Sequence, residues 1–217
     1  MNTLTSISPI DGRYSKQTSE LSEYFSEMAL MKYRLMVEVE YLIALAKEKN
    51  VKEIRTLSPT YQKKLRGFYQ NFSLDDAKAI KKIENTTKHD VKAIEYFLQK
   101  KIEKTPLKNY LPFIHFALTS EDVNNLSFSL MWKGGLHNTY LKSLLEISKN
   151  LTTMAKKYKD TAMLALTHGQ TATPTTVGKE IAVVVSRLNR QIKQLKNHNL
   201  QGKFGGATGT WGAHVVA

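Results

Sequence analysis

The sequence predicts an all-α fold, with a small N-terminal helical domain followed by long helices of the kind that build a bundle. Three observations predict it. Apolar residues recur at steps of three and four through most of the chain, polar helix-opening signals stand in front of several of those runs, and no segment alternates with period two between strand-like bounds. A sheet is therefore not expected.

Leu21, Tyr24, Phe25, Met28, Met31, Leu35, Val39, Leu42 and Ile43 form the first stripe and predict one long amphipathic helix over residues 19–49. Ser58-Pro59 opens a second helical segment, because proline is tolerated in a first turn. Ser73-x-x-Asp76 resembles a capping box ahead of a third. A fourth helix is expected over residues 89–101, Pro106 closes that region, and residues 112–117 form a short apolar piece. Thr119-x-x-Asp122 is another capped start, leading to Lys133, after which Gly134-Gly135 is expected to interrupt the chain. Leu141, Leu144, Leu145, Ser148, Leu151, Ala155 and Tyr158 form one long stripe. Ile181, Val184, Val185, Leu188, Ile192 and Leu195 form another, with Thr173-Pro174 as its N-cap and N1 pair. Residues 163–173 between the two stripes read as a loop.

A boundary is expected between Pro106 and Pro112, dividing the chain into residues 1–110 and 111–217. The last two stripes call for more helical partners than the chain supplies, and the chain stops just as a new apolar run, Val215, Val216 and Ala217, is starting. Both features predict a piece of a longer protein, oligomerisation, or the two together.

Composition narrows the function. The chain has no cysteine, so a disulfide framework, a thiolate zinc site and a cysteine nucleophile are excluded. The first eleven residues lack a basic region followed by an apolar run, and no stretch approaches the roughly 18 apolar residues that span a bilayer. A cytoplasmic protein with no membrane contact is expected. The net charge of +13 attracts anions, but the lysines are scattered singly or in pairs such as Lys63-Lys64 and Lys81-Lys82. Solvated helix faces explain most of that charge, a small anionic substrate is the next reading, and nucleic acid is not expected.

The six histidines never take the i, i+4 spacing of a helical metal pair, and neither a Walker A loop nor Gly-x-Gly-x-x-Gly occurs, so no metal is expected. Three short segments do carry candidate chemistry. Thr86-Thr87-Lys88-His89-Asp90 puts a cation and an imidazole at a helix start, where free backbone N–H groups suit an anion. Leu118-Thr119-Ser120-Glu121-Asp122 puts two hydroxyls at another start. Thr167-His168-Gly169-Gln170 holds a histidine between hydroxyl and amide groups, beside a glycine able to adopt positive φ. Taken singly, each also fits a plain cap or a structural hydrogen bond.

Taken together and in order, these segments resemble the adenylosuccinate lyases, bacterial branch, within the fumarase/aspartase superfamily. Ser8-Pro9-Ile10-Asp11-Gly12-Arg13-Tyr14 is similar to their opening motif, and His89-Asp90-Val91-Lys92-Ala93-Ile94-Glu95-Tyr96-Phe97-Leu98 to their second block. The run from His115 through Thr119, Ser120 and Asp122 to Asn125 resembles the third, and that from Thr167 through His168, Gln170 and Pro174 to Glu180 the fourth. The resemblance implies a helical lyase, a homotetramer whose sites draw on more than one subunit, and no cofactor. It also implies β-elimination of fumarate from adenylosuccinate, giving AMP, and from the succinyl-carboxamide ribonucleotide SAICAR, giving AICAR.

By the same resemblance His168 is the general acid, and His89 contacts the substrate phosphate and helps orient the site. Arg13 and Tyr14 bind the nucleotide, Lys88, His89 and Asp90 form a second binding segment, Thr119 and Ser120 bind the succinyl carboxylates, and Gln170 is a further candidate. Lys88 stands where relatives often carry Asn or Arg, and Gly205, Thr210 and Gly212 stand where asparagines are expected. The family's catalytic serine loop, Ser-Ser-x-Met-Pro-x-Lys-x-Asn-Pro, is expected beyond Ala217, together with a C-terminal domain. The alternatives are another lyase of the superfamily, such as argininosuccinate lyase, and a basic helical binding module.

Overall fold

A computed structural model describes residues 3–217; Met1 and Asn2, part of the stretch read for a leader, lie outside the described residues. The chain forms two compact units, one running up to Lys133 and taking in Gln201–Ala217, the other Gly134–Leu200. Helices dominate both. No helix among the described residues is long and apolar enough to cross a membrane.

The stripe over residues 19–49 is broken into a 3-10 turn Ser19–Leu21, a single turn α1 (Ser22–Phe25) and the long helix α2 (Glu27–Leu45). The single long helix expected there is corrected at Ser26. Its backbone is extended (ψ 162°) and its Oγ accepts the Ala29 N–H, so a serine inside an unbroken apolar stripe acts as an N-cap. Helix α3 (Pro59–Gln70) starts behind Ser58, and α4 (Leu74–Thr87) behind the complete capping box of Ser73 and Asp76, both as expected. Helix α5 (Asp90–Ile102) follows His89, and a 3-10 stretch covers Pro106–Phe113.

These elements close on one core. Leu35, Val39 and Leu42 of α2, Leu65 of α3, Ile80 of α4, Ile94 and Leu98 of α5, and Leu107 are almost fully buried against one another. A fully buried aliphatic side chain contributes about 1.5–3 kcal/mol, so this cluster is the main hold on the first unit. A smaller cluster, Val37, Val91 and Val123, joins α2, α5 and α6 (Ser120–Gly135).

Gly134 and Gly135 do not interrupt the chain. The helix runs through Gly135 into a π-helical turn, Leu136–Tyr140, and on into α7 (Leu141–Lys157). Two glycines cost a helix about 1 kcal/mol each, which a widened turn and continued hydrogen bonding absorb.

The expectation of no sheet is also corrected, along with the loop over residues 163–173. Strands β1 (Ala162–Thr167) and β2 (Gln170–Thr176) pair antiparallel, with a register shift between Leu164 and Leu166. Almost every residue of the hairpin is exposed, so no buried face imposed the period-two pattern that a sequence search needs. Thr173-Pro174 accordingly lies within β2, and the cap of α8 (Val177–Asn197) is Thr176, whose Oγ1 accepts the Lys179 N–H.

Helices α7 and α8 pack closely because Gly178 lets them. Its N–H donates to Tyr158 O at 2.9 Å, and a Cβ there would lie 2.6 Å from both N and Cα of Lys159 and closer still to Ala155 O. Backbone atoms cannot yield as a side-chain tip can. Gly178→Ala is therefore expected to destabilise the second unit by about 2–3 kcal/mol. A urea unfolding midpoint unchanged by the substitution would contradict this. On the same pair Leu145, Ile147, Met154 and Val184 remain exposed, while Ser148 Oγ meets Asn189 Oδ1 at 2.6 Å.

Candidate active site

In the first unit the loop of residues 8–14 is held by its own backbone turns. Gly12 N donates to Ser8 O at 3.0 Å, Tyr14 N to Pro9 O at 2.9 Å, and Thr18 Oγ1 to both Ile10 O and Tyr14 O. The Arg13 guanidinium lies over the Tyr14 ring, 5.5 Å from its centroid, and both side chains are exposed. A cation backed by an aromatic face in open solvent is free to meet an anion.

Lys88 ends α4 in the left-handed region (φ 54°), which turns the chain sharply into His89. His89 is the N-cap of α5, its Nδ1 accepting the Lys92 N–H at 3.2 Å. An acceptor at Nδ1 places the proton of the neutral ring on Nε2, so the exposed imidazole offers a donor to solvent. Asp90, next in line, is bound on both oxygens. Oδ2 takes Arg34 Nη2 at 2.5 Å and Oδ1 takes the Val91 N–H at 2.9 Å. Burial pushes the Asp90 carboxyl up, but the Arg34 charge, the Val91 N–H and the Arg34 hydrogen bond outweigh it and hold it below the ordinary carboxylate value.

The run into α6 is strained. His115 and Ala117 both have φ 59°, which non-glycine residues adopt at a cost of about 1–3 kcal/mol each. Asp122, fully buried, holds the run's end. It accepts from Thr119 N at 3.0 Å, from Lys203 Nζ at 2.9 Å, and from the backbone N–H groups of Gly205 and Gly206. One carboxylate thus fastens the Thr119-Ser120 start to the glycine-rich turn. Burial raises the Asp122 carboxyl, and those donors bring it below its usual value. Asn125 adds a second tie, its Oδ1 accepting Lys203 N at 2.5 Å. Tyr41 donates to Phe116 O at 2.7 Å; burial, reinforced by Glu38 and Asp122, pushes its hydroxyl up to about 12, so it stays a neutral donor.

Behind this run lies a buried chain of titratable groups. His115 Nδ1 meets Glu38 Oε1 at 2.6 Å, its Nε2 lies 3.6 Å from Glu95 Oε1, and Glu95 takes Lys92 Nζ at 2.7 Å. Burial raises the Glu38 carboxyl. Burial also lowers His115, but the Glu38 hydrogen bond and the charges of Glu38 and Glu95 raise it further than burial lowers it. The folded pair therefore keeps a proton that the unfolded chain releases. Its contribution to stability is full below pH 6.5 and is lost as pH rises through the raised value of folded His115. The urea midpoint is expected to fall as pH rises above 6.5, and His115→Asn, which tolerates positive φ, to flatten that slope. An unchanged slope in the variant would refute the assignment.

The remaining candidates stand in the second unit. His168 (φ 51°) and Gly169 (φ 75°) are the two central residues of the β1–β2 turn, flanked by the pair Thr167 and Gln170. Both central residues at positive φ is the primed geometry of two-residue hairpins. His168 and Gln170 are fully exposed. Among the described residues no group of three or more His, Asp or Glu side chains could hold a metal.

Comparison with known proteins gives the family. A family model described as Lyase matches residues 12–217. The chain belongs to this lyase family. All of it aligns with the adenylosuccinate lyases of Legionella pneumophila (strain Philadelphia 1) at 46% identity, of Haemophilus influenzae at 46% and of Escherichia coli K12 at 43%. The chain spans about half the length of these curated relatives, 48% of each. Among solved structures, a fumarate lyase from Mesorhizobium sp. BNC1 superposes over 90% of the chain and 44% of its own, with a TM-score of 0.71 at 19% identity. A β-carboxy-cis,cis-muconate cycloisomerase from Acinetobacter calcoaceticus gives 0.67 over the same shares, also at 19%. At that identity the two show the helical lyase fold.

For a lyase of this family, sequence reasoning missed Arg34, Asn124 and Lys203 altogether and read Asp122 only as a cap. The signal for Arg34 was present. Met31, Arg34, Leu35, Glu38 and Leu42 share one helical register, so two charged residues, Arg34 and Glu38, sit on the buried stripe of α2. A charge in that position is paired or it destabilises the helix. Lys203 carried no such signal, because its partner lies 81 residues away.

Proposed function

We propose that this chain forms part of an adenylosuccinate lyase, which eliminates fumarate from adenylosuccinate to give AMP and from SAICAR to give AICAR. The observation that carries the reading is alignment of the entire chain with adenylosuccinate lyases at 42–46% identity; the exposed turn that holds His168 supports it. A base removes the proton from the carbon beside a succinyl carboxylate. The electrons of that C–H bond form the C=C bond of fumarate, the C–N bond breaks with its electrons passing to the leaving nitrogen, and His168 protonates that nitrogen as it departs. Histidine suits the task because its ordinary pKa lies near neutrality. No cofactor is required.

Arg13, Tyr14 and Lys88 bind the nucleotide's charged end, and the Nε2–H of His89 donates to its phosphate, which the capping role of Nδ1 supports. Thr119 and Ser120, at the start of α6, take the succinyl carboxylates, where free N–H groups favour negative charge. Gln170 assists from β2. No Ser-Ser-x-Met-Pro run occurs in the 217 residues, so the base comes from outside them. The exposed apolar residues of α7 and α8 support a homotetramer with shared sites. In this reading residues 1–110 form the N-terminal domain, residues 111–217 begin the bundle, and the enzyme works in the cytoplasm on small molecules.

Fumarate release from adenylosuccinate, SAICAR and argininosuccinate, measured with the enzyme that carries this chain, tests the proposal. Turnover of the first two and not the third is expected. Release from argininosuccinate alone would overturn it, and turnover by the 217-residue chain on its own would overturn the placement of the base.

A further inference from the structure

A carboxylate beside a phosphate-binding imidazole poses an electrostatic difficulty. Asp90 directly follows His89, and its Oδ1 lies 3.6 Å from His89 Nδ1. Unpaired, it would repel the doubly charged phosphate that His89 is assigned to hold. The structure gives it a partner. Arg34, 7% exposed on α2, reaches Asp90 Oδ2 with Nη2 at 2.5 Å and Asn124 Oδ1 of α6 with Nε at 2.8 Å. The valines of the smaller apolar cluster, Val37, Val91 and Val123, come from the same three helices, each within three residues of a member of the polar trio. Arg34 therefore bonds to α5 and α6 together, the two helices whose starts carry His89 and Thr119-Ser120.

We infer that Arg34 is a positioning residue for the nucleotide site: it cancels the charge of Asp90 beside His89 and ties the start of α5 to α6. This rests on the lyase reading above and refines it. Asp90 is held on both oxygens, by Arg34 and by the Val91 N–H, so its charge stands beside His89 already paired. Guanidinium is suited to this, since its rigid fork serves two acceptors on different helices and a lysine would serve one point.

The test uses the enzyme that carries this chain, with adenylosuccinate as substrate and inorganic phosphate as competing probe. Arg34→Met exposes the phosphate to an uncompensated carboxylate. It is expected to raise KM and the phosphate inhibition constant about tenfold or more, with kcat changed less than about threefold. The double variant Arg34→Met/Asp90→Asn removes both charges and is expected to recover most of the lost affinity, which a purely structural role would not produce. Arg34→Lys keeps a positive charge beside Asp90 but loses the fork that reaches Asn124; it is expected to raise KM less than Arg34→Met does, and it also serves if Arg34→Met does not fold. Arg66→Met, which breaks an ion pair with Glu40, is the control and leaves KM unchanged. A normal KM in Arg34→Met, no recovery in the double variant, or a KM in Arg34→Lys as high as in Arg34→Met would each overturn the inference. Failure of the unmodified enzyme to release fumarate from adenylosuccinate would instead overturn the functional reading, before any variant is compared.

Discussion

His168→Asn is expected to lower the turnover of adenylosuccinate by about 10²- to 10⁴-fold, the usual contribution of a positioned general acid. Stability is expected to stay where it is, for three reasons. The residue is exposed, it sits at the apex of a hairpin that buries almost nothing, and asparagine accepts the positive φ (51°) that His168 adopts. The combination of lost turnover and an unchanged melting temperature separates a catalytic histidine from a structural one. A variant within threefold of the parent in kcat would remove His168 from the mechanism.

Asp122→Ala is expected to cost about 3–5 kcal/mol, the range for breaking a buried charged hub. The loss has identifiable parts. Thr119, Gly205 and Gly206 lose the acceptor for their N–H groups, and the half-exposed Lys203 loses a counter-charge that is itself fully buried. Because the folded carboxyl is held below its ordinary value of 3.8, its contribution is complete above that pH and is lost as pH falls through the depressed folded value. Urea unfolding at neutral pH measures the loss. A fall of less than about 1 kcal/mol would mean that water serves those donors as well as the carboxylate does. The release of Thr119 and Ser120 from the glycine-rich turn predicts a higher KM in any variant stable enough to assay.

Ser26 and the β1–β2 hairpin show where sequence reading ran out. Both departures have the same origin: periodicity reports burial and not hydrogen bonding. The apolar stripe passes across Ser26 without a gap, although the turn before the break buries none of its residues and the helix after it faces the core. The hairpin carries no stripe because neither of its faces is covered. The Gly134-Gly135 pair misleads in the opposite sense, since propensity counted against a helix that the flanking turns sustain.

What the sequence determined by itself was the helical class, the capped starts at Ser58, Ser73 and His89, and the ordered motifs around Arg13, His89, Thr119 and His168 that resemble a lyase. These are local properties, written in spacings of three and four and in neighbouring residues. Only the tertiary structure decided that Arg34 serves Asp90 and Asn124 at once, and that Asp122 anchors a turn more than 80 residues away. It alone paired the fully buried Glu38 with His115. A buried charge must find its opposite or a set of donors, and which partner it finds depends on how helices distant in sequence come to pack.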